Sequence, residues 1–103
     1  MSNVEAEIAK YAHNAFGAIK VNFFNLIYNL CELRGADYER VLPGVLMSKH
    51  INWPHTAVPG PDKHFGFGGT CFPKDLKAFN NFYPTKTFAA CLEENKTHRG
   101  SKP

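Results

Sequence analysis

The first third of the chain carries a helical pattern of apolar residues that changes along its length. Ser2 and Glu5 have capping-box spacing, which predicts a helix start at Asn3, and Gly35 is a natural C-terminal stop. One apolar stripe in the first half consists of Ile8, Ala12, Ala15 and Ile19. In the second half, apolar residues surround much of the circumference: Val21, Phe23, Phe24, Leu26, Ile27, Leu30, Cys31 and Leu33. We predict one helix from Asn3 to Arg34, about 30 residues and roughly 45 Å long.

This long helix raises the question of what covers it. A compact domain of about 100 residues has a radius of gyration near 13 Å, so the helix would project beyond such a body. A helix that is apolar on most sides must also be buried on most sides. We therefore predict a homodimer in which the long helices cross. The alternative is a monomer in which shorter helices pack around it.

The remainder of the chain predicts shorter helices and one long loop. A short helix from Tyr38 to about Leu42 ends or kinks at the following Pro-Gly pair. The Gly- and Pro-rich loop from Lys49 to Thr70 is too long for an idle connection, which indicates a functional loop. A third helix spans about Pro73 to Phe82, and a last one runs from about Lys86 to Lys96. The residues after it are interpreted as a frayed tail or a cut linker. No segment has a strand pattern, so we predict a single all-α domain over residues 1–103.

Composition narrows the function classes. Twelve Lys and Arg against nine Asp and Glu give a net charge of +3, and the basic residues are scattered, so no nucleic-acid partner is expected. Three Cys are too few for a disulfide framework and indicate reduced thiols in the cytoplasm. The N-terminus is charged where a signal peptide is apolar, and no apolar run is long enough for a membrane span. The loop histidines His50, His55 and His64 lack metal-site spacing, so no metal is expected.

The segment around Cys71 is the most informative for chemistry. Gly68 and Gly69 permit close approach of backbone to a ligand. Cys71 then lies just ahead of a predicted helix start, where free N–H groups and the helix dipole favour a thiolate, and Lys74 adds positive charge. Asp75 fits the third helical position and could orient or accept a proton. A thiolate there is a nucleophile.

The alternative for Cys71 is a small buried hydrophobe, which is the usual fate of a free cysteine. The glycines before it and the Pro-Lys-Asp sequence after it favour the nucleophile. Cys31 and Cys91 lie within apolar helical patterns, and for them we predict the structural role.

Several segments together resemble a known family. Residues Glu7–Phe16, Ala18–Val21 and Gly68–Asp75 closely resemble the middle domain of UDP-glucose 6-dehydrogenases, within the wider UDP-glucose/GDP-mannose dehydrogenase group. Val58–Asp62 resembles the substrate loop of some bacterial members. The resemblance covers about Val4 to Lys96, and the cysteine motif makes UDP-glucose the better substrate prediction.

The resemblance implies an oxidation of the sugar C6 alcohol to an acid in two NAD-dependent steps. Cys71 would attack the aldehyde intermediate, and the thiohemiacetal would give up hydride to become a thioester that water hydrolyses. Lys10 and Asn14 match the family's Lys and Asn that stabilise oxyanion charge and hold the reacting oxygen or water. Asp75 would be the general acid/base or water-orienting partner. Lys74 would support the substrate and the charge of the active site.

The resemblance also places Phe67, Gly68 and Gly69 along the sugar. Independently of it, the i, i+4 spacing of Lys10 and Asn14 puts both side chains on one helix face, where a cation and an amide donor suit an alkoxide-like transition state. Without the cysteine motif, an ordinary solvated helix face would be the better interpretation of these two residues.

Two positions depart from the family pattern, and Lys20 is considered with them. Many members have Glu where this chain has Leu26, and the nearest position to a family Arg that reaches the partner subunit's substrate is His50. These departures put substrate affinity or choice in question. Lys20 is interpreted as a surface or interface charge.

Two domains expected of a full-length member have no counterpart in these residues. No G-x-G-x-x-G motif follows a strand, so the NAD-binding domain is absent from the 103 residues, as is the UDP-binding domain. We predict the catalytic-core domain of a UDP-glucose 6-dehydrogenase, inactive by itself. The alternative is a stand-alone interaction module that pairs with itself or with full-length subunits. A small basic nucleic-acid binder is a third hypothesis, and the scattered charge disfavours it.

Overall fold

Four helices make up the fold. The structure, a computed structural model, describes residues 1–103 and contains α1 (Asn3–Arg34), α2 (Tyr38–Val45), α3 (Cys71–Phe82) and α4 (Lys86–Gly100), with no strand. The all-α prediction is confirmed. None of the four helices is both long and apolar enough to cross a membrane.

The bounds of α1 follow the predicted caps. The Ser2 hydroxyl accepts a hydrogen bond from the Glu5 backbone N–H at 3.1 Å, and the Glu5 carboxylate accepts one from the Ser2 backbone N–H at 2.7 Å. Gly35 ends the helix with a φ of 68°, a left-handed conformation that glycine adopts without steric cost, and its N–H donates to the Cys31 carbonyl. The molecule is 48 Å along its longest axis, about the length expected of a 32-residue helix.

The other three helices all pack on α1, and they divide the core in two. The first cluster lies between α1, α3 and α4 and comprises Ala15, Ala18, Phe67, Leu76 and Cys91. The second lies between α1, α2 and the long connection and comprises Phe24, Cys31, Tyr38 and Val58. Between α2 and α3 the chain follows an irregular path over residues 46–70. The long helix and the connection each contribute residues to both clusters.

Gly17 lets α3 lie close to α1. A Cβ atom at this position would lie 2.5 Å from Cζ of Phe72, so the Phe72 ring occupies the space that any side chain would need. Glycine inside a helix costs about 0.5–1 kcal/mol relative to alanine. The glycine at position 17 permits close contact between α1 and the ring of Phe72, the residue that follows Cys71.

Two predicted helix bounds are wrong. The second helix continues through Pro43 to Val45, although Pro43 lacks an N–H for the Glu39 carbonyl and its ring crowds that carbonyl. The third helix begins at Cys71 rather than at Pro73. Pro73 is tolerated as the third residue since first-turn N–H groups have no acceptor within the helix. Asp75 is consequently the fifth helical residue, not the third.

The predicted frayed tail is also wrong, because α4 continues to Gly100. His98 is buried and its Nε2 lies 2.7 Å from the Asn22 Oδ1, while Asn22 Nδ2 donates to Glu94 Oε1 at 2.9 Å. Arg99 pairs with Asp62 of the long connection at 2.8 Å. These hydrogen bonds and this ion pair hold the last turn of α4, whose polar sequence has no helical stripe of apolar residues.

One face of α1 has no partner within the chain. Large apolar side chains recur along it with the three- and four-residue steps of a heptad pattern, and 37–83% of their surface is exposed: Phe16, Phe23, Leu26, Leu30 and Leu33. The shorter helices therefore cover α1 on only part of its circumference.

The buried His98 predicts a pH-dependent stability. Burial lowers the pKa of His98 below its ordinary value, and the nearby Glu94 opposes that shift. The unfolded chain then binds more protons than the folded one below about pH 6.5, so acidification should lower the free energy of unfolding as the pH falls towards the folded pKa. The loss per pH unit is at most about 1.4 kcal/mol for this one group. Urea unfolding measured from about pH 7.5 to about pH 5 tests it.

The matched variants are His98→Gln and His50→Gln. Glutamine at 98 keeps an N–H donor for Asn22 but has no proton to gain, so the pH dependence should flatten. His50 is exposed, so its variant should retain the dependence of the parent chain. An unchanged dependence in His98→Gln would contradict the assignment.

Candidate active site

A cavity of about 420 Å³ lies between α1, the long connection and the start of α3. Its wall includes Val21 of α1, Trp53 and His55 of the connection, the glycine-rich segment Gly66–Gly69, and Phe72 of α3. The predicted substrate-binding residues Phe67, Gly68 and Gly69 are thus all in this wall. The prediction did not include Trp53 or His55, although an exposed tryptophan in a long loop is a signal of a binding surface.

Two buried asparagines hold the glycine-rich segment in place. Asn95 of α4 accepts a hydrogen bond from the Phe67 N–H at 2.7 Å and donates to the Phe67 carbonyl at 2.9 Å. Asn25 of α1 accepts from the Gly66 N–H at 2.9 Å. Gly66 has a φ of 78°, and a side chain there would collide with Asn95. Neither asparagine was predicted as a functional residue, because an amide on the apolar face of a helix is its only signal in the sequence.

Polar contacts also tether the part of the connection before this segment. Lys20 donates to the backbone carbonyl and the side-chain oxygen of Asn52, at 2.8 and 2.7 Å. The buried Tyr38 hydroxyl donates to the Thr56 carbonyl at 2.6 Å. Within this chain Lys20 is therefore an intramolecular tether that positions the wall containing Trp53.

Cys71 is the first residue of α3 and is exposed. Gly69 and Phe72, which flank Thr70 and Cys71 in the sequence, both line the cavity. The N-cap Thr70 makes no side-chain hydrogen bond to the helix start. Cys71 itself is not one of the lining residues, but it lies in the sequence between two that are. Its exposed thiol is at a helix terminus that the Thr70 side chain does not cap.

The other two cysteines are buried, as predicted. Burial raises the pKa of the Cys91 thiol to about 11, and its Sγ lies 3.9 Å from the Ala18 carbonyl. A thiol of this kind is protonated and shielded at neutral pH, so reagents in solution should meet Cys71 alone.

Asn14 and Asp75 meet across the α1–α3 interface. The Asn14 Nδ2 donates to the Asp75 Oδ2 at 2.6 Å, and Asp75 is only 2% exposed. Cys71 and Asp75 are one turn apart on α3, as are Lys10 and Asn14 on α1. This bond joins two residues that are 61 positions apart in sequence. Lys10 and Cys71 each lie one turn from it along their own helix.

The two predicted lysines are exposed and lie outside the cavity wall. The Lys10 Nζ is 5.8 Å from the centroid of the Tyr11 ring, and Lys10 makes no ion pair. Lys74 likewise makes no ion pair. The roles of both remain predictions.

The two departures from the family pattern lie away from these contacts. Leu26 belongs to the exposed apolar face of α1, and His50 is exposed in the connection. The loop histidines His55 and His64 are exposed too, and no three His, Cys, Asp or Glu side chains converge on one point.

Comparison with known proteins decides the family. A sequence profile described as the UDP-glucose/GDP-mannose dehydrogenase family, central domain, matches residues 4–97. The chain belongs to this family. The resemblance carried by the cysteine motif and the first helix is therefore confirmed. The matched range also contains Lys10, Asn14, Cys71 and Asp75.

The similar curated proteins are bacterial members of the family. The chain is 40% identical to the UDP-glucose 6-dehydrogenase of Rickettsia bellii over 98 residues, which is 90% of this chain and 21% of that protein. It is 40% identical to UDP-glucose 6-dehydrogenase TuaD of Bacillus subtilis over 104 residues, covering 95% and 22%. Identity to the Pseudomonas aeruginosa UDP-glucose 6-dehydrogenase is 45% over 78 residues, covering 76% and 16%.

The chain thus spans about a fifth of the length of the curated relatives it matches. No solved structure matches it significantly.

The Asn14–Asp75 bond gives a prediction about stability. Asn14→Ala leaves a buried carboxyl oxygen without its donor, so we expect a loss of about 1–3 kcal/mol in the free energy of unfolding. The loss should be smaller when Asp75 is already Asn, because the two residues act as a pair. Urea unfolding of the four chains measures this coupling.

The control is Asn81→Ala, an exposed position near the end of α3 whose side chain makes no hydrogen bond. It should change the free energy of unfolding by no more than about 0.5 kcal/mol. Equal losses for Asn14→Ala in both Asp75 backgrounds would show that the bond contributes nothing.

Proposed function

We propose that the chain forms the catalytic-cysteine domain of a UDP-glucose 6-dehydrogenase. The supporting observation is the Asn14–Asp75 hydrogen bond, which joins an amide of α1 to a carboxyl group of α3, with the exposed Cys71 one turn from Asp75 on α3. Phe67 and the two glycines after it offer an apolar wall and free backbone to a sugar. UDP-glucose is the proposed substrate, because it appears in the names of the similar curated proteins.

In the proposed chemistry, Cys71 adds to an aldehyde at C6 of the sugar. The thiolate sulfur forms a bond to the carbonyl carbon, the π electrons move to the oxygen, and the alkoxide takes a proton from water to give a thiohemiacetal. Asn14 has a second amide hydrogen beyond the one given to Asp75, and the Lys10 ammonium is one turn away on α1. Both would stabilise the developing negative charge.

The same residues suit hydrolysis of a thioester at Cys71. Water adds to the thioester carbon and loses one proton to the solvent, the carbon–sulfur bond breaks, and the carboxylic acid and the thiolate are released. Asp75 would orient that water through a carboxyl oxygen. Lys74, exposed near the start of α3, would attract the anionic substrate.

The oxidation itself is not assigned to these residues. NAD is the oxidant that the family resemblance implies, but the 103 residues form helices and an irregular connection with no strand–turn–helix unit for a dinucleotide. The residues present do not fit the cofactor. We propose that the chain alone produces no NADH from UDP-glucose and NAD.

Alkylation of Cys71 tests the nucleophile. In the native chain, iodoacetamide should modify Cys71 alone, because Cys71 is exposed whereas Cys31 and Cys91 are buried. Millimolar UDP-glucose should slow the reaction, and glucose should not. Peptide mass spectrometry identifies the labelled cysteine, and Cys71→Ser is the control. Labelling of Cys71 that UDP-glucose does not slow, or labelling of Cys31 or Cys91 at the same rate, would contradict the proposal.

The exposed apolar face of α1 supports a second proposal, a homodimer through the long helix. Its side chains follow a heptad pattern from Phe16 to Leu33, about five helical turns, which is the spacing of a helix seam that packs on another helix. A second copy of this chain presents the same seam. The same observation favours the alternative function, an interaction module that pairs with itself or with full-length subunits.

Sedimentation tests the pairing. The parent chain should be dimeric at high-micromolar concentration, and Phe23→Glu with Leu30→Glu should weaken association about a hundredfold or more by placing charge in the seam. Ala90→Glu adds charge at an exposed position on α4 and should leave the dimer unchanged. A monomeric parent chain would overturn the proposal.

The alkylation result separates the two functions. Dimerisation together with a slow, unprotected Cys71 would favour the interaction module over the catalytic domain.

A further inference from the structure

An ion pair joins the last turn of α4 to the cavity wall. The Arg99 Nη1 lies 2.8 Å from the Asp62 Oδ2 and 3.4 Å from the Phe65 carbonyl oxygen. Asp62 lines the cavity, whereas Arg99 is not one of the lining residues and contacts Asp62 from outside the cavity wall. The pair therefore connects a carboxylate in the wall to a cation outside it.

Gly68 makes room for this pair. A Cβ atom at Gly68 would lie 2.7 Å from Arg99 Cζ and 2.9 Å from Asp62 Oδ2. The guanidinium and the carboxylate thus occupy the space where a side chain at 68 would be. The backbone of the glycine-rich segment packs directly against the ion pair, so the pair supports the wall as well as setting its charge.

The charge matters because Asp62 is the only acidic residue of the cavity wall, which contains no Lys or Arg. The hydrogen bond from Arg99 lowers the pKa of Asp62, and the neighbouring His64 N–H donates to Asp62 Oδ1 at 3.1 Å. The carboxylate is therefore charged at neutral pH. Without Arg99 the cavity would carry a negative charge, which repels an anionic ligand.

We propose that Arg99 is a specificity-determining residue: it neutralises Asp62 and supports Gly68, so that the cavity accepts an anionic ligand. The identity of that ligand as a UDP-sugar rests on the proposed function, but the neutralisation of Asp62 by Arg99 does not. Arg99 is a positioning residue, since it acts on the ligand through Asp62 and the glycine-rich segment.

Alkylation of Cys71 with two reagents of different charge tests this role. Iodoacetate is an anion and iodoacetamide is neutral. The rate with iodoacetate divided by the rate with iodoacetamide therefore reports the electrostatic potential at Cys71. Arg99→Met should lower the ratio about twofold at low salt, and about 1 M salt should abolish the difference. Arg99→Met with Asp62→Asn should restore the ratio of the parent chain. Asp62→Asn alone should raise it.

Two controls separate charge from structure. Lys96→Met removes an exposed cation from the same helix and should leave the ratio unchanged. Arg99→Lys keeps the cation and should stay near the parent value. If Arg99→Met changes both rates alike, or if the double variant fails to restore the ratio, Arg99 has only a structural role and the proposal is overturned. Far-UV circular dichroism checks that each variant is folded.

Binding of UDP, measured by calorimetry, gives the specificity directly. Arg99→Met should weaken UDP binding at low salt, and the double variant should recover it. If UDP-glucose neither binds nor protects the parent chain, the proposed function fails while the reagent ratio still decides the role of Arg99. If the ratio is insensitive to Arg99, the charge control fails even where UDP binds.

Discussion

Hydrogen bonding of an irregular backbone inside the protein is the requirement on which this fold depends. Within the connection over residues 46–70, Gly66 and Phe67 are buried, and a buried N–H or C=O without a partner costs free energy. Asn95 satisfies both backbone groups of Phe67, and Asn25 satisfies the N–H of Gly66. The glycine-rich wall of the cavity can follow an irregular path because two side-chain amides supply the hydrogen bonds that a helix or sheet would otherwise provide.

This requirement explains why α4 is longer than its apolar pattern suggests. Its final turns supply Asn95, His98 and Arg99, which bond to the segment at the cavity, to α1 and to the long connection. Since both α1 and α4 hold the same segment, the cavity wall is supported from two sides. The open end of α3, with Cys71 as its first residue, follows that supported wall directly.

The candidate site was partly predictable. The cysteine motif and the Lys10–Asn14 spacing are local patterns, so the sequence alone indicated both the candidate residues and the family. The comparison with known proteins confirmed the family. The contact between Asn14 and Asp75 was not predictable from spacing, because the two residues are 61 positions apart and belong to different helices. The support from Asn25, Asn95 and Arg99 was missed, since a lone amide or cation in a helix also suits a solvated face.

Local rules accounted for the elements whose ends are determined locally. The capping box at Ser2 and the left-handed Gly35 set the bounds of α1, because each acts on groups within four residues. The ends of α3 and α4 were decided by tertiary contacts, since Phe72 packs over Gly17 and His98 is buried against Asn22. Short-range hydrogen bonds can be read from neighbouring residues, whereas the burial of a polar side chain depends on what the rest of the chain brings to it.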